Sequence, residues 1–234
     1  MRSAVYTLLA AVIVSPAIMA GRSTQCPISR EKASLSDTQT LSFDPAGVIQ
    51  LERSFGDVEI EGWDRPEVEI TTIRTSHKKY AQQELAAAER DLNRIAITAV
   101  KTGEDQLKIM TDFPAHAAAS LHGKPDTELK YVIKAPARAK IVVHHDVGQV
   151  NVANFLGDIE VTNRVGEIGL RLKDPSAYRV DARARIGDVA SDVGCSVGQN
   201  VVGQQLVSSN DEDARPQLYL RVGIGDISIR KIKW

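Results

Sequence analysis

One short phrase recurs along this chain and restricts its fold more than any other feature: an apolar residue, glycine, an acid or amide, then Val or Ile. It reads Phe55-Gly56-Asp57-Val58, Val147-Gly148-Gln149-Val150, Leu156-Gly157-Asp158-Ile159, Val165-Gly166-Glu167-Ile168, Ile186-Gly187-Asp188-Val189 and Ile224-Gly225-Asp226-Ile227. Glycine reaches backbone angles closed to other residues, and the polar residue after it stays in water or bonds the turn backbone. Glycines 148, 166, 187 and 225 stand 18, 21 and 38 residues apart, and 38 is two steps of 19. A period of about 20 residues between short β-rich runs predicts a coil of stacked rungs. One rung cannot bury both of its faces, so the Val and Ile of each must pack on the next. Gly157 falls half a rung from its neighbours and marks the opposite corner. The expected fold is mainly β, a single-stranded β-helix-like solenoid with its rungs over about residues 140–234. Residues 190–217 hold only the degenerate Val197-Gly198-Gln199-Asn200, which predicts an irregular rung there.

The first 20 residues read as a signal peptide. Arg2 supplies the positive start, Ala4 to Ala20 carries no charge, and Ser15-Pro16 breaks the run before its small-residue end. An uncleaved anchor is the alternative; the run is short for a bilayer and Pro16 weakens it. Gln25, before Cys26, is too large for the small-residue position that lipidation requires. An exported chain is therefore expected, periplasmic or at the cell surface, touching membrane only through that segment if it is uncleaved. Cys26 and Cys195 are open to pairing in such a compartment, and the sequence equally allows two free thiols. Residues 21–40 are polar and aperiodic, as in a flexible tether, with one β-strand-repeat domain expected over 41–234.

Within that domain the alternation in Val58/Ile60 and Val68/Ile70 predicts strands joined by a hairpin turn, Gly62-Trp63-Asp64-Arg65-Pro66, with Trp63 capping the core. Leu85, Ala88, Leu92 and Ile95 recur at helical spacing, which predicts one helix packed on the sheet, with Ser76 as its N-cap. Strands follow around 95–100 and 107–111. The stretch 112–127, with two prolines, reads as a long loop whose role is open.

These motifs have a familiar order. Gly56-Asp57-Val58-Glu59-Ile60 is followed by Trp63-Asp64-Arg65-Pro66-Glu67-Val68, a helix, "LKYVIKAPARAKIVVHHDVGQVNV" from Leu129 to Val152, and then spaced Gly-acid-Ile turns. Over roughly residues 41–234 this resembles the bacterial putative-adhesin family of β-strand-repeat domains of unknown function. The resemblance implies an extracytoplasmic β-solenoid without a known catalytic centre. It supplies no ligand, and the 190–217 stretch departs from the pattern.

The remaining motifs bear on chemistry. Gly194-Cys195-Ser196-Val197-Gly198 fits a nucleophile elbow, but no helical pattern follows it and the last histidine, His145, precedes it. His144 and His145 are strand neighbours and must face opposite sides. His116 and His122 share a loop without the cysteines of a zinc set; Asp112 or Asp126 could complete one, but solvated loop histidines are the expectation, and no metal, cofactor or catalytic residue is expected. The acids Glu167, Asp188 and Asp226 would stack one per rung, too few for calcium, with Arg164 and Arg185 near enough to neutralise them. Lys plus Arg is 29 against 30 for Asp plus Glu, and aromatics are 5%, which disfavours nucleic acid. A non-catalytic envelope module that meets an unidentified envelope protein or glycan is the expected function. Rows such as Arg171/Lys173 and Arg179/Arg183/Arg185 are solvated faces or seats for an anionic glycan. The alternative is a polysaccharide lyase or hydrolase, which needs clustered acids in an open groove.

Overall fold

Alternation of buried and outward residues runs through the strands that flank each glycine corner and breaks at the β2 bulge and just before the corners. The computed structural model describes residues 29–103, 105–112, 127–192, 196–199 (backbone), 203–207 and 216–232. Along the chain these form β1 (Arg30–Ser42), β2 (Val48–Phe55), β3 (Asp57–Trp63), β4 (Glu67–Ala81), helix α1 (Gln82–Leu92), β5 (Ala96–Lys101), β6 (Gln106–Asp112), β7 (Thr127–Pro136), β8 (Lys140–Val147), β9 (Val150–Ala153), β10 (Ile159–Val165), β11 (Ile168–Leu172), β12 (Arg179–Ile186), β13 (Val189–Ser191), β14 (Ser196–Gln199), β15 (Gln204–Val207), β16 (Gln217–Ile224) and β17 (Ile227–Lys231). The fold is mainly β, with two mixed sheets. One has eight strands in the order β1-β4-β7-β3-β9-β11-β17-β13, and the other nine, β14-β15-β12-β16-β10-β8-β2-β6-β5.

Five strand pairs cross from the nine-stranded to the eight-stranded sheet over a glycine: β2/β3 at Gly56, β8/β9 at Gly148, β10/β11 at Gly166, β12/β13 at Gly187 and β16/β17 at Gly225. All five glycines have positive φ, between 87° and 133°. The parallel register sets like on like. Ile49, Ile141, Ile159, Leu218 and Val180 form one inward ladder, and Leu51, Val143, Val161, Leu220 and Ala182 the next. The facing sheet contributes Val58, Val150, Ile168, Ile227 and Val189. All are buried in one continuous core, where parallel sheets bury their apolar face. The two sheets are also tied by polar contacts inside that core. Thr111 Oγ1 and Tyr131 Oη share a hydrogen bond of 2.7 Å, and Tyr178 Oη donates to Phe155 O at 2.6 Å. Burial pushes both tyrosine hydroxyls up to about 12.

The succession of strand pairs differs from a spiral wound in chain order. From one end the stack runs 48–63, 140–153, 159–172, 217–231, 179–191, so the last pair in sequence is inserted between the third and fourth. The 38 residues between Gly187 and Gly225 are therefore not two rungs. They leave the stack through β14 and β15, an antiparallel pair on the edge beside β12, and return to place β16 between β10 and β12.

Three further expectations change. Residues 30–40, read as tether, belong to β1, paired antiparallel with β4. The Trp63 turn is no hairpin, because β7 lies between β3 and β4. Trp63 is half-buried, its Nε1 donates to Glu67 O at 2.9 Å, and the Arg65 guanidinium stands 5.0 Å from its ring. Ser76 is a buried β4 residue that accepts from Ala33 N–H at 2.9 Å, and the helix starts after Ala81, whose N–H is taken by the Glu84 side chain. Helix α1 covers β1 and β4 through a small cluster of Ala33, Ala88 and Leu92. Residues 1–28 with Cys26, the 113–126 stretch with His116 and His122, and Cys195 lie outside the described residues.

Candidate functional site: an arginine groove at the glycine corners

Each corner glycine is held by its neighbour in the stack. A Cβ on Gly148 would come within 1.9 Å of Gly56 O, one on Gly166 within 1.9 Å of Gly148 O, one on Gly225 within 1.9 Å of Gly166 O and one on Gly187 within 2.1 Å of Gly225 O. Gly56 meets Leu129 O of β7 in the same way. The chains can therefore bond corner to corner: Gly56 N–H donates to Val147 O, Gly148 to Val165 O, Gly166 to Ile224 O and Gly225 to Ile186 O. Gly157 lies on the opposite edge, against the carbonyls of Arg138 and Ala139, without positive φ.

The residue on each side of the glycine has a different fate. The Val or Ile two positions after it is buried, whereas Val147, Val165, Ile186 and Ile224 directly before it are 42, 37, 44 and 52% exposed. The corner turns the strand so that this position projects, and the four form an outward aliphatic ridge. The acids do not pair with Arg164 and Arg185. Asp226 Oδ1 accepts from Asp188 N–H at 2.8 Å, and Asp188 Oδ1 accepts from Gln204 Nε2 at 2.9 Å. The column order is thus Glu167, Asp226, Asp188, following the inserted strand.

Arg164 and Arg185 instead face outward on the nine-stranded sheet, where they line a groove of about 750 Å³ with Arg53, Arg183, Arg221 and His144. Five arginines and one carboxylate, Asp146, line it. Register explains the gathering. One outward row reads Glu52, His144, Thr162, Arg221, Arg183. In the next, Arg164 sits between Asp146 and Gly223, with Arg185 beyond, as the flanking pairs Asn163–Val222 and Val165–Ile224 require. Glu52 is occupied by Lys108 at 2.8 Å, and Arg183 donates to Gln205 Oε1 at 2.8 Å. Arg221 lies 3.9 Å over the Tyr219 ring and donates to Asp181 Oδ2 at 2.6 Å. Arg164 reaches Asp146 only at 3.9 Å, an exposed pair of little energy. Among the described residues Arg185 and Arg53 make no ion pair. Arg53 has φ 53° at a bulge where β2 slips against β8, and this left-handed conformation is uncommon for a residue with a side chain.

Beneath the groove lies a Ser–His pair that could pass for catalytic machinery. Ser54 Oγ and His145 Nδ1 are 2.7 Å apart. Ser54 is fully buried, His145 nearly so, and His145 Nε2 has no partner. A nucleophile sealed from solvent with no carboxylate behind its base lacks the geometry for acyl transfer. Burial holds the His145 ring down to about 4, against the weaker upward pull of nearby backbone groups, Asp146 and Asp57. The pair is a neutral polar link in the core, and His144, one residue earlier, faces solvent.

The other sequence candidates are dispersed. Arg171 lines a separate cavity of about 570 Å³ on the opposite sheet with Arg230 and Lys231, and Lys173 one of about 690 Å³ near Trp63. Arg179 starts β12, away from the groove. Residues 196–199 are a strand paired antiparallel with β15, so the strand-to-helix setting of a nucleophile elbow is missing. Among the described residues no three His, Cys, Asp or Glu side chains assemble for a metal, and no helix is long and apolar enough to cross a membrane. The groove itself was missed in sequence because residues 53, 164, 183–185 and 221 meet only through register.

No protein-family model matches the chain, and no curated protein does. Among solved structures the chain is similar to a putative cell adhesion protein from Clostridium sporogenes, with 13% identity and a TM-score of 0.51, over 85% of this chain and 100% of that one. That likeness shows a shared fold. A putative adhesin from Bacteroides fragilis also aligns, at 9% identity and a TM-score of 0.23, over 84% of this chain and 97% of that one.

Proposed function

We propose that this chain is a non-catalytic, exported binding module of the bacterial cell envelope, adhesin-like in its scaffold, which presents the arginine groove to its ligand. The observation that carries the reading is the groove: five arginines from four strand pairs on a rigid two-sheet frame, beside an outward aliphatic ridge. The cell-adhesion protein that shares the fold supports the setting. The glycine stack supports a solenoid-like description of the frame, with its last strand pair inserted out of order. A carbohydrate-active enzyme would need clustered acids in an open cleft. The arginine groove holds one carboxylate, the cavity that holds Glu59 and Glu61 also carries Arg171, Arg230 and Lys231, and the cavity with Glu167 and Asp226 measures about 170 Å³.

The test is retention of purified protein on washed bacterial envelope fragments, with product release measured in the same tubes. Saturable retention without new reducing ends or unsaturated uronates is expected. Depolymerisation of an envelope polysaccharide by the purified protein would replace the reading with an enzyme.

A further inference from the structure

We infer that the bare backbone at Gly223 is the floor of an anion seat, and that the groove takes an acidic polysaccharide strand through its carboxylate or sulfate groups. This rests on the binding-module reading and adds the ligand's chemistry. Gly223 stands between Arg164 and Arg185 on three adjacent strands, so their Cα atoms are separated by two strand spacings, roughly 10 Å. No side chain fills the gap, and a Cβ on Gly223 would meet Arg164 O at 2.5 Å. Arg221 borders the gap from the neighbouring row, fixed by Asp181 and the Tyr219 ring. Its guanidinium, over that ring and on that carboxylate, is directed along its strand away from Gly223, so the cations of the seat are Arg164 and Arg185, held only by a long exposed contact or by none.

Arginine in all five positions points to oxyanions that offer two oxygens side by side. Its fork matches carboxylate and sulfate with two parallel hydrogen bonds, which a lysine ammonium does not reproduce. Arg185, Gly223, Arg164 and Asp146 lie in one line across the strands, and Arg53, at the β2 bulge between the partners of His144 and His145, stands just off the end of that line. A lone small anion needs one such seat; a linear polymer with a charge on each repeat uses the line. Thr162 and His144 add polar partners for hydroxyls. Nucleic acid fits less well, because no Phe, Tyr or Trp side chain lines the groove to stack a base. The chain's net charge is −1, so this field belongs to the groove and not to the molecule as a whole.

The experiment titrates the full chain by calorimetry with three oligosaccharides of equal length: a polyuronate, a sulfated dextran and neutral dextran. Binding of both acidic chains but not the neutral one is expected, weakening as salt rises. Arg164→Gln and Arg185→Gln should each cost about tenfold in affinity, the scale of one charge-assisted hydrogen bond. Arg171→Gln on the opposite sheet should leave affinity unchanged. Gly223→Ser fills the seat and keeps every charge; if it folds by circular dichroism it should bind at least about tenfold more weakly, and if it does not fold, the two arginine variants decide. Equal affinity for neutral and acidic chains, full binding by the Arg164→Gln/Arg185→Gln double variant, or tighter binding to anionic vesicles or an oligonucleotide would overturn the inference. Loss of envelope retention in the double variant without any oligosaccharide binding would overturn the ligand class and leave the binding reading standing. Cleavage of the polyuronate would remove both.

Discussion

The glycine corners and the N-terminal ribbon of β1 and β4 both join chain segments, by different physical means. At the corners, parallel strands from five separate parts of the chain are locked by backbone alone: a positive-φ glycine whose missing Cβ lets the next glycine's carbonyl approach. In the ribbon, two long antiparallel strands pair over twelve residue partners, and outward hydroxyls meet across them, Ser34 with Thr75 and Thr38 with Thr71. Burial in the ribbon falls mainly on β4, with Val68 and Ile70 in the main core and the Arg74 guanidinium pairing with Asp37 and donating to Ile95 O at 3.1 Å, whereas β1 buries Ala33 under the helix and leaves its outer face exposed. The corners leave no room for substitution and the ribbon leaves a good deal. Tolerance to mutation should therefore differ sharply between them.

The largest effect is expected from removing residues 217–234. Because β16 and β17 sit inside both sheets, their loss uncovers facing edges on β10 and β12, and on β11 and β13. The truncated chain should lose its cooperative thermal transition and aggregate. A stack wound in chain order would lose only an end rung and still melt cooperatively. Gly166→Ala comes next. It combines φ 133° with a Cβ 1.9 Å from Gly148 O, and should cost about 3 kcal/mol or more in denaturant unfolding. A cost below about 1 kcal/mol would mean that the corner backbone can yield.

His145 adds a pH dependence to the corner side of the comparison. Its folded pKa, about 4, lies below the ordinary value of 6.5, so the unfolded chain takes up the proton first. Stability from this group is present above pH 6.5 and is lost as pH falls toward 4, by up to about 3 kcal/mol. Denaturant midpoints measured across that window should fall in the native protein and flatten in His145→Gln. On the ribbon side, Leu92→Ala should cost about 2 kcal/mol, the low end for a buried leucine, since its cluster is small. Thr71→Ala, which removes an exposed cross-strand hydroxyl contact of 2.9 Å, should cost less than about 1 kcal/mol. If Thr71→Ala proved as damaging as Gly166→Ala, the contrast between the two regions would be lost.

The same contrast explains what could be read in the sequence. Gly56, Gly148, Gly166, Gly187 and Gly225 are visible as corners because a local backbone demand leaves a local residue signature. Strands β5 and β6 were visible through alternation. β1 was missed because an edge strand with Ala33 as its fully buried residue is held by pairing, which leaves little hydrophobic pattern. The start of α1 was misplaced because Ser76 through Tyr80 have helix-compatible composition, yet pairing with β1 and β7 carries them on as β4. The insertion of β16 was invisible for a different reason. Val and Ile fit any inward ladder, so the pattern specifies a rung without specifying its neighbours. The groove followed the insertion out of sight: Gly223 acquires a role only when β16 brings it between Arg164 and Arg185.

Paired cysteines test that insertion most directly. In a Cys26→Ser/Cys195→Ser background, Thr162→Cys with Arg221→Cys places the two residues on adjacent strands, about 5 Å apart at Cα and within disulfide reach. Thr162→Cys with Arg183→Cys places them two strands apart, roughly 10 Å. Mild oxidation should link the first pair rapidly and leave the second unlinked, read as a mobility shift on non-reducing gels. Rapid linkage of the second pair and none of the first would mean that the strands stack in chain order, and the arginine seat over Gly223 would not exist.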